Sequence, residues 1–173
     1  NLPEVKGLQL AWVWAMNEGG WNEPSPVVHN GVLYLTHPGS LVQALDARTG
    51  DLIWEHELET GARGYNATRS LAIYQDKLFV ANTDATLIAL DAREGRVVWK
   101  SQIADFKKGY MTTSGPLVVN GKVVQGLNGC DGYTGDGCFI SAFDAATGER
   151  IWKLNTIARA GEPGGETWGA LPD

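Results

Sequence analysis

Long apolar runs are absent from the sequence, and this absence excludes a hydrophobic helix long enough to cross a membrane. Methionine is scarce, with two residues, whereas there are seven Trp and 22 Gly, a balance that favours many short strands and tight turns over long helices. Residues 1–6 lack the charged and apolar regions of a signal peptide. A mature secreted chain would lack them as well, so they leave the compartment open.

No cluster of Lys and Arg is dense enough to follow a phosphate backbone. The 14 basic residues are outnumbered by 20 acidic ones, for a net charge of −6. We therefore expect no nucleic-acid partner. The three histidines, His29, His37 and His56, lack metal-ligand spacing and are interpreted as structural.

Cysteine is limited to Cys130 and Cys138, which stand on either side of a loop rich in Gly and Asp. A disulfide across so short a loop would stabilise the fold by about 2–3 kcal/mol and would indicate an oxidising compartment. Two free thiols are the alternative. The disulfide is the favoured interpretation.

A repeat organises most of the chain. Residues 44–54, 89–99 and 142–152 share the pattern Ala-x-Asp-x-x-(Thr/Glu)-Gly-x-x-x-Trp, and their Trp residues lie 45 and 53 residues apart. A period near 45 residues is typical of one four-stranded blade of a β-propeller. The longer third copy needs about eight additional residues, for which the segments 103–113 and 130–138 are the candidates.

Strands are predicted within each copy by short β-branched and aromatic runs between turn signals. Asn30-Gly31 and Asn120-Gly121 mark hairpin turns in the first and third copies. The Trp of each repeat falls on the outermost strand, where its ring would dock between neighbouring blades and bury roughly 150–250 Å². The sequence therefore predicts an all-β fold, a partial β-propeller of about three four-stranded blades with tryptophan-docking repeats.

The predicted division of the chain follows from this register. We assign residues 1–15 to the outer strand of the closing blade, 16–60 to blade 1, 61–105 to blade 2, 106–156 to blade 3, and 157–173 to the start of the next blade or an inter-blade loop. Propellers typically close with about four to eight blades. Three blades leave apolar sheet faces open, so we expect the remaining blades or another chain to cover them.

The repeat signature resembles the quinoprotein alcohol and sugar dehydrogenases, which depend on pyrroloquinoline quinone (PQQ). The similarity includes residues 114–124 and residues 156–172, and propeller structure alone does not explain the second segment. The resemblance implies that the chain is the N-terminal part of an eight-bladed periplasmic enzyme. Such an enzyme holds PQQ and a Ca²⁺ or lanthanide ion near its axis, oxidises an alcohol, polyol or sugar, and passes electrons to a cytochrome c.

The same resemblance implies three residues that contact the cofactor. Glu23 stands where the family has a carboxylate near the quinone. Arg69 stands at the position of an arginine that pairs with a PQQ carboxylate, a task that suits the guanidinium group. Thr113 matches a threonine that hydrogen-bonds a second carboxylate.

A metal-binding loop is implied by residues 126–131. Asp131 stands where the calcium enzymes have a metal-binding Glu, and Asn128 and Gly129 line the same turn as further cofactor-site residues. Oxygen ligands of this kind suit Ca²⁺. Cys130 and Cys138 flank this loop, a pattern that is similar to the relatives that oxidise sugars or polyols.

The chain also departs from the family pattern in its cysteines, and it lacks the catalytic groups of the family. Arg63-Gly64 occupies the position of an adjacent Cys-Cys pair that many of the alcohol dehydrogenases carry. No catalytic residue is expected within the chain, because the family's general base lies in later blades. The alternatives to an enzyme fragment are a non-catalytic propeller scaffold of the outer-membrane assembly type and a short chain that assembles into a ring.

Overall fold

The computed structural model describes residues 6–16, 21–59, 68–130, 137–158 and 161–168. Within these residues, three four-stranded antiparallel sheets follow one another, and each is a meander in which successive strands pair. The strands are β1 (Val27–His29), β2 (Val32–Thr36), β3 (Leu41–Asp46) and β4 (Leu52–Glu57), then β5 (Ala72–Tyr74), β6 (Lys77–Asn82), β7 (Thr86–Asp91) and β8 (Val97–Gln102), then β9 (Leu117–Val119), β10 (Lys122–Gly126), β11 (Phe139–Asp144) and β12 (Arg150–Asn155). The predicted partial propeller of three four-stranded blades is confirmed, and the exact blade boundaries stay a prediction.

The turn between the third and fourth strands of each blade is closed by an aspartate. Asp46 Oδ1 accepts hydrogen bonds from the backbone N–H of Arg48 at 2.8 Å and of Thr49 at 3.0 Å. Asp91 and Asp144 accept the equivalent pair of bonds in blades 2 and 3. The Arg48 N–H holds the pKa of Asp46 below its ordinary value, because hydrogen bonds to a carboxylate favour its charged form. The sequence repeat is therefore a repeat of one hydrogen-bonded turn.

The repeated tryptophans join each blade to the next. Trp54 Nε1 donates to Ala92 O at 3.1 Å, and Trp99 Nε1 donates to Ala145 O at 3.3 Å. Each ring also lies on the glycine of the neighbouring turn, where a Cβ on Gly95 would sit 2.6 Å from the ring of Trp54. The predicted docking of these rings between blades is confirmed for both.

The N-terminal segment repeats this contact. Trp12 Nε1 donates to Ala47 O at 3.1 Å, and its ring covers Gly50. Trp14 Nε1 donates to Gln43 Oε1 at 3.0 Å. Residues 8–16 form no strand with the described part of the chain. The assignment of residues 1–15 to the outer strand of a closing blade stays a prediction, which the Trp12 contact supports.

The hydrophobic core lies between the sheets rather than within one of them. One buried cluster joins blades 1 and 2 through residues such as Val42 and Ile88, and a second joins blades 2 and 3 through residues such as Leu87 and Phe143. The middle sheet is therefore covered on both faces. On blade 3, by contrast, Trp152 is 39% exposed, although its counterparts in the preceding blades are docked.

The additional residues of the third repeat lie in one connection. Residues 103–116 join β8 to β9 and match residues 58–71, which join β4 to β5, at 14 residues each. The connection between β10 and β11, residues 127–138, has 12 residues against four in blade 1. The prediction that 103–113 holds part of the insertion is therefore wrong, because this segment is an ordinary connection between blades. In the described ranges, no helix is both long and apolar enough to cross a membrane.

Candidate functional site

The innermost strands of the three blades begin side by side. Ser25 N donates to Arg69 O at 2.7 Å, and Arg69 N donates to Thr113 O at 3.3 Å. Ser25 and Ser70 also form an isolated parallel bridge. The residues that precede β1, β5 and β9 thus meet at one end of the blades, and this brings Glu23, Arg69 and Thr113 to a shared surface.

Arg69 and Glu23 form an ion pair between blades 2 and 1. Arg69 Nε lies 2.7 Å from Glu23 Oε2, and the two side chains are 46% and 41% exposed. Because both charges are partly in water, the pair adds little to the free energy of unfolding. The ion pair instead orients the guanidinium group, because Glu23 binds Arg69 at Nε. The two terminal nitrogens of Arg69 form the edge that can bind a carboxylate through two parallel hydrogen bonds.

Asn128 reaches Thr113 from the connection between β10 and β11. Asn128 Nδ2 lies 3.4 Å from Thr113 Oγ1. The backbones of Asn128 and Met111 exchange hydrogen bonds of 3.0 and 3.1 Å. Gly129 lies so close to Gly109 that a Cβ on Gly129 would collide with the Gly109 carbonyl oxygen. The loop that carries Asn128 is therefore fastened to the segment that carries Thr113.

A disulfide joins the two ends of this loop. The Cα atoms of Cys130 and Cys138 are 5.3 Å apart, and the bond confirms the favoured interpretation over two free thiols. Cys138 O accepts hydrogen bonds from Thr156 N at 2.9 Å and from Thr156 Oγ1 at 2.8 Å. Tyr110 OH donates to Gly137 O at 3.0 Å. The far end of the loop is thus anchored to Thr156, the residue after β12, and to the segment before β9.

The metal site stays a prediction. Asp131, the predicted metal ligand, lies outside the described residues, as does Arg63-Gly64. Among the residues that the structure describes, no group of three or more His, Cys, Asp and Glu side chains could hold a metal ion. His37 is buried, and desolvation lowers its pKa. This environment agrees with the structural interpretation of that histidine.

The shared surface therefore presents a cation, a hydroxyl and an amide, from Arg69, Thr113 and Asn128. Each can donate a hydrogen bond to oxygen, so the set suits a ligand with more than one carboxylate better than an apolar ligand. The donor chemistry fits PQQ, which carries several carboxylates. Asn128 also brings a side-chain carbonyl oxygen, a ligand type that Ca²⁺ accepts.

Three buried supporting residues were missed by sequence reasoning. Thr36 Oγ1 donates to Thr68 O at 2.7 Å, and Thr112 Oγ1 donates to Asn82 O. The sequence contains a weak signal for Thr112 and for Thr68, the acceptor of the Thr36 bond, because each stands directly before a candidate site residue. The third residue, Asn82, has no such signal, since its partners come from three separate parts of the chain.

Comparison with known proteins places this chain in a family. The PQQ family model described as "Glucose/ethanol/alcohol dehydrogenase, beta-propeller domain" matches residues 1–171. The chain belongs to the PQQ-dependent dehydrogenases. One relative is the quinohemoprotein alcohol dehydrogenase of Comamonas testosteroni, which is 34% identical over an alignment of 194 residues that covers 98% of this chain and 27% of the relative.

The solved structures of two alcohol-oxidising dehydrogenases share the arrangement of the blades. The quinohemoprotein alcohol dehydrogenase ADHIIG of Pseudomonas putida HK5 superposes with a TM-score of 0.79 at 36% identity, over 87% of this chain and 23% of that one. A europium-containing methanol dehydrogenase gives a TM-score of 0.80 at 30% identity, over 91% of this chain and 29% of that one. The chain spans about a quarter of the length of the relatives that it matches.

Proposed function

We propose that these blades form one wall of the cofactor site of a longer PQQ-dependent dehydrogenase that oxidises alcohol groups. The observation that carries the proposal is the continuous line of contacts from Glu23 through Arg69 and Thr113 to Asn128. A propeller that served only as a scaffold would not need a cation, a hydroxyl and an amide to converge at one end of three blades. Membership of the PQQ dehydrogenase family supports the same choice.

Each residue of the line has a role that follows from its contacts. Arg69 binds one carboxylate of PQQ through its terminal nitrogens, and Glu23 orients the guanidinium through Nε. Thr113 binds a second carboxylate. The Thr113 hydroxyl oxygen accepts a hydrogen bond from Asn128 Nδ2. The Thr113 O–H therefore points to a different acceptor, and in this proposal that acceptor is the second carboxylate.

In this proposal Asp131 would supply oxygen ligands to a Ca²⁺ or lanthanide ion, and Asn128 and Gly129, which precede it in the sequence, would be further residues of the cofactor site. When bound, PQQ supplies the two-electron acceptor for alcohol oxidation, and the metal supplies Lewis-acid polarisation of the quinone carbonyl. The disulfide joins Cys130 and Cys138, the two residues on either side of the segment that contains Asp131. This chain contributes binding and orientation, and the proton-transfer group belongs to blades outside it.

The substrate class, the electron acceptor and the location complete the proposal. The names of the relatives support an alcohol as substrate. Two further relatives, named as a lupanine 17-hydroxylase and a 1-butanol dehydrogenase that use cytochrome c, support a cytochrome c as electron acceptor. The disulfide between Cys130 and Cys138 supports an oxidising compartment, for which we propose the periplasm. The position of Cys130 and Cys138 on either side of the loop is similar to that in relatives that oxidise sugars or polyols. Polyols and sugars are therefore the substrates to compare with simple alcohols.

An activity assay tests the proposed function. We expect the full-length protein, reconstituted with PQQ and Ca²⁺, to reduce an artificial electron acceptor when given a primary alcohol, a polyol or a sugar. The variant Arg69→Lys should lose about tenfold or more activity at limiting PQQ and regain it at high PQQ, because lysine keeps the charge but cannot form two parallel bonds to one carboxylate.

The matched control is Arg96→Lys, at an arginine whose side chain is 72% exposed in a turn at the opposite end of blade 2. It should leave the PQQ dependence unchanged. A full-length protein that shows no PQQ-dependent oxidation of any of the three substrate classes would contradict the proposal.

A further inference from the structure

Two buried hydroxyl groups lie directly behind the candidate cofactor surface. Thr36, at the end of β2, donates from Oγ1 to Thr68 O at 2.7 Å. Thr112 donates from Oγ1 to Asn82 O at the end of β6. The threonines are 2% and 1% exposed, and each hydrogen bond crosses from one blade to the approach of the next. They are cross-links between blades at the end that carries the site.

Each of the two bonds involves the residue directly before a candidate site residue. Thr68 directly precedes Arg69, and Thr112 directly precedes Thr113. The carbonyl of Thr68 and the N–H of Arg69 belong to one planar peptide unit. Thr36 holds the carbonyl side of this unit, and Thr113 O accepts from its N–H side at 3.3 Å. The orientation of the Arg69 backbone is therefore fixed from both sides.

Asn82 connects the second bond to blade 1. It is fully buried, its Oδ1 accepts from Ser40 Oγ at 2.7 Å, and its Nδ2 donates to Glu59 O at 3.1 Å. Its backbone oxygen accepts from Thr112 Oγ1. Asn82 therefore binds groups from three parts of the chain. These are blade 1, the connection between blades 1 and 2, and the segment that leads to blade 3.

We propose that Thr36, Asn82 and Thr112 are positioning residues that set the separation of Arg69 and Thr113 for a ligand with two carboxylates. The inference rests on the proposed function, since it assigns a purpose to the support of the same site. Neither threonine needs to touch the ligand, because both act through the peptide next to a ligand-binding residue. A ligand that is held at two points is sensitive to the distance between them, so a loosened bond weakens its affinity.

The test is the equilibrium dissociation constant of PQQ for the full-length apoprotein in the presence of Ca²⁺. Thr36→Val and Thr112→Val remove one hydroxyl each and preserve the side-chain shape. Each should raise the dissociation constant about tenfold, as expected from the loss of about one hydrogen bond. Thr36→Ser and Thr112→Ser restore the donor and should return the constant to within about twofold of wild type.

Tyr34→Phe is the matched control, because it also removes one buried hydroxyl that bridges blades 1 and 2. Tyr34 OH donates to Ala92 O at 3.1 Å, at the end of the blades away from the site. It should lower the melting temperature as much as the valine variants do without changing PQQ affinity. If both valine variants bind PQQ as wild type does, the positioning role is wrong and the proposed function stands. If wild type itself binds no PQQ, both are overturned.

Discussion

Gly129→Ala should lower the stability of the full-length protein by about 3 kcal/mol or more and weaken PQQ binding at the same time. The new Cβ would collide with the carbonyl oxygen of Gly109, which is backbone and cannot rotate away. Gly129 also has a φ of +80°, a conformation that costs other residues free energy. Relief of the collision requires the loop to move, and Asn128 would move with it away from Thr113. Urea unfolding and calorimetric titration with PQQ measure the two effects.

Gly137→Ala separates the cost of the collision from the cost of a left-handed backbone conformation. Gly137 lies at the other end of the same connection with a φ of +62°, and no atom of the described residues lies within 4 Å of its Cβ position. This variant should cost only about 1–2 kcal/mol, the penalty of the left-handed conformation, and should leave PQQ affinity unchanged. Equal effects from the two variants would show that the contact between Gly109 and Gly129 does not hold the loop.

Trp99→Ala is expected to lower the free energy of unfolding by about 3–5 kcal/mol. The ring packs against Phe79 with centroids 5.7 Å apart, covers Gly148 of the next blade, and donates from Nε1 to Ala145 O. Truncation would open a cavity between blades 2 and 3 and remove a hydrogen bond. Trp99→Phe keeps most of the packing and should cost about 1–2 kcal/mol, because it loses mainly the hydrogen bond. Denaturant unfolding of the full-length variants measures both values.

Trp21 provides the control for the loss of a large aromatic side chain. Its side chain is 69% exposed, so Trp21→Ala should change the free energy of unfolding by about 0.5 kcal/mol or less. A cost for Trp99→Ala as small as that for Trp21→Ala would mean that the repeated tryptophans do not join the blades.

The blade architecture could be predicted because its signals are local. Asn-Gly at 30–31 and 120–121 specifies a hairpin in which successive residues have positive φ, and the structure has these angles at both places. The Asp of each repeat closes its own turn through bonds to residues two and three positions later. Neither feature depends on the remainder of the fold, so a single sequence is enough to find it.

The length of the connections was harder to predict. The segment 103–113 is one of the two places that the sequence offers for the additional residues, yet the connection that contains it is as long as its counterpart after blade 1. Only strand pairing shows where one blade ends and the next begins. The whole difference in length therefore lies in the loop closed by Cys130 and Cys138.

For the candidate site, the sequence predicts the residues proposed to face the ligand but not the residues that support them. Arg69 and Thr113 were found through family resemblance, and the structure places their backbones in direct hydrogen-bond contact. Asn82 could not be found in this way. Its role depends on Ser40, Glu59 and Thr112, which come together only when three blades are packed.

The central claim is that Arg69 and Thr113 bind PQQ, and calorimetric titration of PQQ into the full-length apoprotein tests it most directly. The account predicts saturable binding at one site for wild type. It also predicts a dissociation constant about 30-fold higher or more for Arg69→Ala, since loss of a charged partner costs about 2 kcal/mol or more. Thr113→Val should weaken binding by about tenfold. Wild-type affinity in both variants would contradict the account, because PQQ would then bind elsewhere.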